Sequence, residues 1–290
     1  MHSCESISEN GEKLKAVFNP QMGMNLMSYT LDGIEAMDQK TIPLFEERMA
    51  GMGALIGPHF HHRKDEDIPN LDLVDLFPFI SGLLKKGQKE PFSHGIARYV
   101  PWEYEGGSDF INARLSGKDT FKGFKIAELE GQEFELSFKA KLKPNGLFID
   151  YSVNAKKPSV IGLHYYYALA EKSGNVFSKV NEKYHHSKGW RDIPKDWLES
   201  DNGLNFRVGP DVEADFGFRP FKSAAQTLIK MKTSSHQLQI HYQSDSEANS
   251  WQLYHPKNAT YVCLEPVSAV NPREATQSSS NLKIQIEIKT

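Results

Sequence analysis

The chain has 290 residues, 34 of them Lys or Arg and 37 Asp or Glu, for a formal net charge of −3. It is long enough to bury a large core, as one big domain or two ordinary ones, and its overall field does not favour nucleic acid or an anionic membrane. Two cysteines, Cys4 and Cys263, cannot form a disulfide framework. The polar start lacks a secretion signal pattern, and no apolar run is long enough to span a bilayer, so a soluble, cytoplasmic protein is expected.

Along the chain, period-two patterns dominate. "KLKAVF" alternates from Lys13 to Phe18, and "NLMSYTLDGIEAM" sets Asp32-Gly33 between two strand-like runs, a hairpin signal. "LVDLFPFISGLL" is apolar but broken by Pro78 and Gly82, which predicts a loop with at most a short helix. "EFELSFKAKLKPNGLFIDYSVNA" predicts a second hairpin turning at Pro144-Asn145-Gly146. The polar, Gly- and Pro-punctuated stretch from Lys172 to Gly203 reads as a long loop over one face. "HQLQIHYQ" and "NLKIQIEIK" alternate again, the latter with Leu282, Ile284, Ile286 and Ile288 on one side. Helical periodicity is weak throughout, and there is no linker, low-complexity tract or clear repeat. The expectation is an all-β antiparallel sandwich, one domain over residues 1–290.

"YVCLEPVSAV", from Tyr261, is an apolar strand interrupted by Glu265. A carboxylate there is costly to desolvate unless it is paired, hydrogen-bonded or partly wet. Alternation puts Tyr261, Cys263 and Glu265 on one face, and Pro266 predicts that the strand ends or bulges there. Taken alone, the segment is explained by a structural carboxylate satisfied by an arginine or a backbone amide.

Three other places carry groups fit for chemistry. In "FSHGIARYVPW", His94 precedes Gly95, whose missing Cβ lets a backbone or ligand approach, and Arg98 and Trp102 follow. In "VIGLHYYYAL", His164 shares a strand face with Gly162, Tyr166 and Ala168. In "ALIGPHFHHRK", His59 and His61 would share a strand face, but no acid or cysteine stands at a metal-ligand spacing, so no metal is expected. "YHHS" at His185 and His186 is read the same way. A nucleophile elbow and a phosphate-binding P-loop are both absent.

Taken together, the order His94, His164, Glu265-Pro266 resembles the aldose 1-epimerase family, the galactose mutarotase-like proteins. "HG" with a downstream Trp102, "YSVNAKKPSVIGLHYYYAL", "EADFGF" around Asp215 and "LYHPKNATYVCLEP" are similar to segments of that family in the same order, over most of the chain. "HGIAR" leans toward the hexose-6-phosphate mutarotases, although "PHFHHRK" replaces a proline-rich stretch of that subgroup. The resemblance implies a large twisted antiparallel β-sandwich of the supersandwich type and a reaction that needs no cofactor. It implies Glu265 as base and His164 as acid in opening the sugar ring, on opposite sides of a pocket, with His94 and Asp215 binding sugar hydroxyls and Trp102 or Tyr166 covering the ring. Burial would raise the Glu265 pKa toward the working pH, and an imidazole titrates near neutrality.

Arg63 and Arg98 are the candidates for holding a phosphate, since a guanidinium fork matches its oxygens. Lys85, Lys86 and Lys89 are read as a solvated loop. The expected partner is a small-molecule sugar or sugar phosphate, not nucleic acid or membrane; oligomeric state is not legible. Two rival readings are a sugar-binding protein without turnover and a polysaccharide-active enzyme using Asp215 and Glu265 as paired carboxylates.

Overall fold

A computed structural model of the chain describes residues 1–186, 189–199, 203–223 and 226–290. The alternating segments form strands, and every strand pairing is antiparallel. One layer runs, in spatial order, through His2–Ile7, Lys13–Asn19, Asn25–Leu31, Gly53–Ile56, Gly162–Ala168, Tyr261–Val267, Ser250–His255 and Ala214–Pro220. The other runs through Glu103–Gly106, Phe110–Ser116, Phe134–Lys143, Gly146–Ala155, Ser279–Lys289, Gln237–Ser244 and Gln226–Lys232. The all-β, antiparallel expectation is met.

The two hairpins form at the predicted turns. Asp32 and Gly33 both adopt positive φ (47° and 88°), the twist that a two-residue antiparallel turn requires. Phe134–Lys143 and Gly146–Ala155 pair along their full length, Lys143 opposite Gly146. The apolar segment around residue 80 contains a short helix, Ile80–Lys85.

The inner faces meet in one core. Phe138, Tyr151, Ile240 and Ile286 from one layer pack against Phe18, Tyr29, Leu163 and Leu264 from the other, all buried. Two tyrosine hydroxyls tie the layers together: Tyr29 donates to Ile286 O at 2.8 Å and Tyr151 to Ile56 O at 3.0 Å. Each hydrogen bond satisfies a polar atom that would otherwise be stranded in the core.

Three expectations are corrected. The stretch after Lys172 is not a loop: Gly174–His186 is a thirteen-residue strand that belongs to both layers. Its first half pairs with Gly203–Val208 and Gln226–Lys232, and its second half with Ala214–Pro220 and Gly189–Asp192. Val176, Ser178, Val180 and Tyr184 are its buried positions, and so few large apolar residues among polar neighbours hid the alternation. Residues 187, 188 and 200–202 of that stretch lie outside the described residues. Second, the strand bearing Glu265 runs on to Val267, with Pro266 opposite Trp251. Third, His59 and His61 share no strand face, because the strand before them ends at Ile56 and His61 takes a positive φ of 62°. Among the described residues no helix is long and apolar enough to cross a membrane.

Candidate active site

The parity of the first layer decides where the chemistry sits. In Gly162–Ala168, Leu163, Tyr165 and Tyr167 point into the core, which leaves His164 and Tyr166 on the outer face. In Tyr261–Val267, Val262 and Leu264 point inward and Cys263 and Glu265 outward. Gly162 pairs with Val267 and Tyr166 with Cys263, so His164 lies opposite Glu265. Their side chains meet, with His164 Nε2 3.4 Å from Glu265 Oε1.

An outer sheet face is ordinarily wet. Here it is roofed by Phe60–His62, the Pro91–Tyr99 segment and Arg273, leaving a cavity of about 300 Å³ whose wall includes His94, Arg98, His164, Asp215 and Glu265. His164 is 6% exposed and Glu265 2%. Burial, and then the negative charge of Asp215, push the Glu265 pKa well up, opposed by the positive charge of Arg98. Burial, then Arg98, push His164 down to about 3. Both shifts favour the neutral forms. The fall of His164 below the ordinary imidazole range departs from the near-neutral titration expected from the sequence and leaves an uncharged ring beside Glu265.

His94 is placed by backbone geometry. His94 and Gly95 both have positive φ (66° and 85°), and a Cβ on Gly95 would overlap the carbonyl of Gly57. That close approach, with Gly57 N donating to His94 O at 2.9 Å and Ala97 N to Gly57 O at 3.0 Å, is why glycine stands there. The ring stands 4.8 Å, centroid to centroid, from that of His164. Its Nδ1 accepts from His61 N at 3.3 Å, so the neutral ring carries its proton on Nε2.

Arg98 is 2% exposed. Its Nε donates to Met49 O at 3.2 Å and its Nη1 to Ser93 O at 3.5 Å, while Nη2 has no hydrogen-bond partner among the described residues. No carboxylate lies within 4.0 Å of Arg98 among the described residues, so Arg98 is not the arginine partner that the sequence allowed for Glu265. Asp215 is exposed on the rim, opposite Tyr254 in the register.

Two expected site residues are elsewhere. Arg63 is spent on structure: its Nε and Nη2 grip both oxygens of Glu90 at 2.7 and 2.8 Å, and Nη1 donates to Glu130 O at 2.6 Å. Trp102 is inside the core, donating Nε1–H to Ala97 O at 2.8 Å. A carboxylate partner 27 residues away cannot be read from the sequence around Arg63. Phe60, Phe79, Tyr99, Tyr166 and Tyr254 are the aromatic groups that do line the cavity. Arg48, Arg273 and Gln252 also line it, and no local pattern marks them. Only Gly217 hints at the last, because a Cβ there would come within 2.6 Å of Gln252 Oε1.

A larger concavity of about 830 Å³ crosses the outer face of the second layer, lined by lysines, amides and apolar side chains such as Phe110, Phe148 and Leu228, with Asp150 as its one acid among the described residues. It has volume but no opposed acid and base, so the smaller cavity is the candidate site.

No family model matches the chain, and no curated protein matches it. Solved structures do. The Slr1438 protein from Synechocystis sp. PCC 6803 is 20% identical with a TM-score of 0.66, covering 100% of this chain and 96% of that one. A galactose mutarotase-like protein from Lactobacillus casei is 15% identical with a TM-score of 0.65, covering 98% and 99%. A GalM/aldose epimerase homologue from C. elegans is 12% identical with a TM-score of 0.66, covering 100% and 99%. At these identities the agreement is one of fold, and the fold is galactose mutarotase-like over the whole chain.

Proposed function

We propose that the protein is an aldose 1-epimerase, interconverting the α and β anomers of a free aldose by opening and closing its ring. The reading is carried by the contact between His164 Nε2 and Glu265 Oε1 at the cavity floor. The C1 hydroxyl and the ring oxygen are bonded to the same carbon, so a base for one and a proton donor for the other must be neighbours. The sequence reading had put them on opposite sides of the pocket; their adjacency suits the reaction better.

Glu265 takes the proton of the C1 hydroxyl, the C1–ring-oxygen bond breaks as the C1 carbonyl forms, and the His164–Glu265 pair returns a proton to the ring oxygen. Rotation about C1–C2 and reversal of these steps gives the other anomer. His94, with its proton on Nε2, donates to a sugar oxygen. Asp215 and Gln252 accept from hydroxyls, and Tyr166 or Tyr254 covers the apolar face of the ring. No step calls for a cofactor.

Three guanidinium groups, Arg48, Arg98 and Arg273, line the cavity against two carboxylates. A neutral sugar has no need of that excess, which supports a phosphorylated aldose, with Arg98, one of the two arginines first given that role, joined by Arg273 in place of Arg63.

The test is anomer exchange followed by NMR for glucose, galactose and glucose 6-phosphate, with the spontaneous rate subtracted. Acceleration that disappears in Glu265→Gln supports the reading. Tight sugar binding with no acceleration of any sugar would replace it with a sugar-binding protein that does not turn over.

A further inference from the structure

Cys263 is left unused by the sugar chemistry, yet it lies on the same strand face as Glu265 and beside His164. It is a free thiol, fully buried. One ligand atom each from His164, Cys263 and Glu265 can be chosen so that all three lie within 4.8 Å of one another. A sugar hydroxyl can use the carboxylate and the imidazole; a thiol offers it little.

We infer that His164, Cys263 and Glu265 form a three-ligand site for a divalent cation of the zinc class, whose occupation excludes the sugar. The donor set selects the ion: one sulfur, one imidazole nitrogen and one carboxylate oxygen suit zinc-like cations and not magnesium or calcium, which prefer all-oxygen shells.

The distances agree with this ion. Zinc bonds of about 2.0–2.3 Å in a tetrahedron put neighbouring ligand atoms roughly 3.3–3.6 Å apart. His164 Nε2 and Glu265 Oε1 already stand at 3.4 Å. Ligand atoms of all three side chains lie within 4.8 Å of one another, so the sulfur has to approach by side-chain rotation to complete the set. His164 and Glu265 both line the cavity, where the sugar would lie.

Binding requires the thiolate and the carboxylate, so the Cys263 proton, and that of Glu265 where it is protonated, pass to solvent. The two negative charges then cancel the dication. Arg98 lies close enough to oppose a cation, which makes the ion a reversible occupant. With the metal bound, both the base and its partner are consumed, and ring opening stops. This last step rests on the proposed epimerase activity; the binding site does not.

The test is titration of the full-length protein with Co²⁺, which reports thiolate ligation as a near-ultraviolet charge-transfer band and tetrahedral geometry as strong visible bands. The expected result is both sets of bands in the wild type, loss of the charge-transfer band in Cys263→Ser, and at least tenfold weaker Zn²⁺ binding in that variant by calorimetry. Cys263→Ala serves if the serine variant does not fold. Cys4→Ser should retain the band. Absence of the band in the wild type, its loss in Cys4→Ser, or unchanged Zn²⁺ affinity without the Cys263 thiol would each overturn the inference. Because the spectrum is read without sugar, failed anomer exchange leaves this test intact. Conversely, an active epimerase without the band sinks only the metal site.

Discussion

Glu265 and His164 face each other across two adjacent strands, 3.4 Å apart, and not across the cavity they share. Sheet register holds both side chains, so neither has to find its position when substrate arrives. Replacing Glu265 by Gln keeps the shape and removes the base. Enzymatic anomer exchange should fall by about 10²–10⁴-fold while the KM changes little. A loss smaller than tenfold would return Glu265 to a structural role.

The pH profile should show an acid limb above the ordinary glutamate range. Burial and then Asp215 raise the Glu265 pKa, so the carboxylate, and with it activity, appears only as pH rises through that raised value. Asp215→Asn removes a negative charge that disfavours ionisation of Glu265. Its acid limb should therefore move to lower pH, whatever the variant does to KM. A limb that stays put or moves upward contradicts the arrangement.

Arg273 lines the cavity wall from outside the two strands that carry the acid–base pair, placed to meet a phosphate in the proposed reaction. Arg273→Ala should raise the KM for glucose 6-phosphate by about tenfold, the order expected for losing one charge-assisted contact. The KM for glucose should hardly move. Equal effects on both sugars would leave no case for a phosphate contact at this residue.

Arg63 and Glu90 form a buried bidentate pair, 7% and 2% exposed at the side chains, beneath the segment that carries His94. Removing one partner strands a charge, which typically costs about 3–5 kcal/mol. Arg63→Met should thus lower the melting temperature by roughly 5–10 °C. Selectivity between phosphorylated and plain sugar should persist in the variant that remains folded. A selective loss of the phosphorylated substrate would restore the phosphate role first expected for Arg63.

Much of the architecture was legible in the sequence because strand alternation is local. The runs Lys13–Phe18, Glu133–Ala155, His236–Gln243 and Asn281–Lys289 each state in a few residues which side is apolar, and burying that side is what makes the sandwich. Glu265 stood out for the same reason, as a costly group in an apolar run. Local pattern also set which residues share its face. What it could not supply was which strand comes alongside. The pairing of Gly162–Ala168 with Tyr261–Val267, about a hundred residues apart, alone decides that His164 meets Glu265 and that Cys263 lies within reach of both.

Only the tertiary structure could sort the arginines. Arg63 and Arg98 look alike in sequence, but Glu90 and the carbonyls of Leu129 and Glu130 take up the donors of one, while the other keeps a nitrogen with no partner among the described residues. It also moved Trp102 into the core and brought in Arg48 and Arg273 from segments with no signal of their own. Alternation is a property of neighbouring residues. The solvation and charge balance of a site belong to whatever the fold gathers around it.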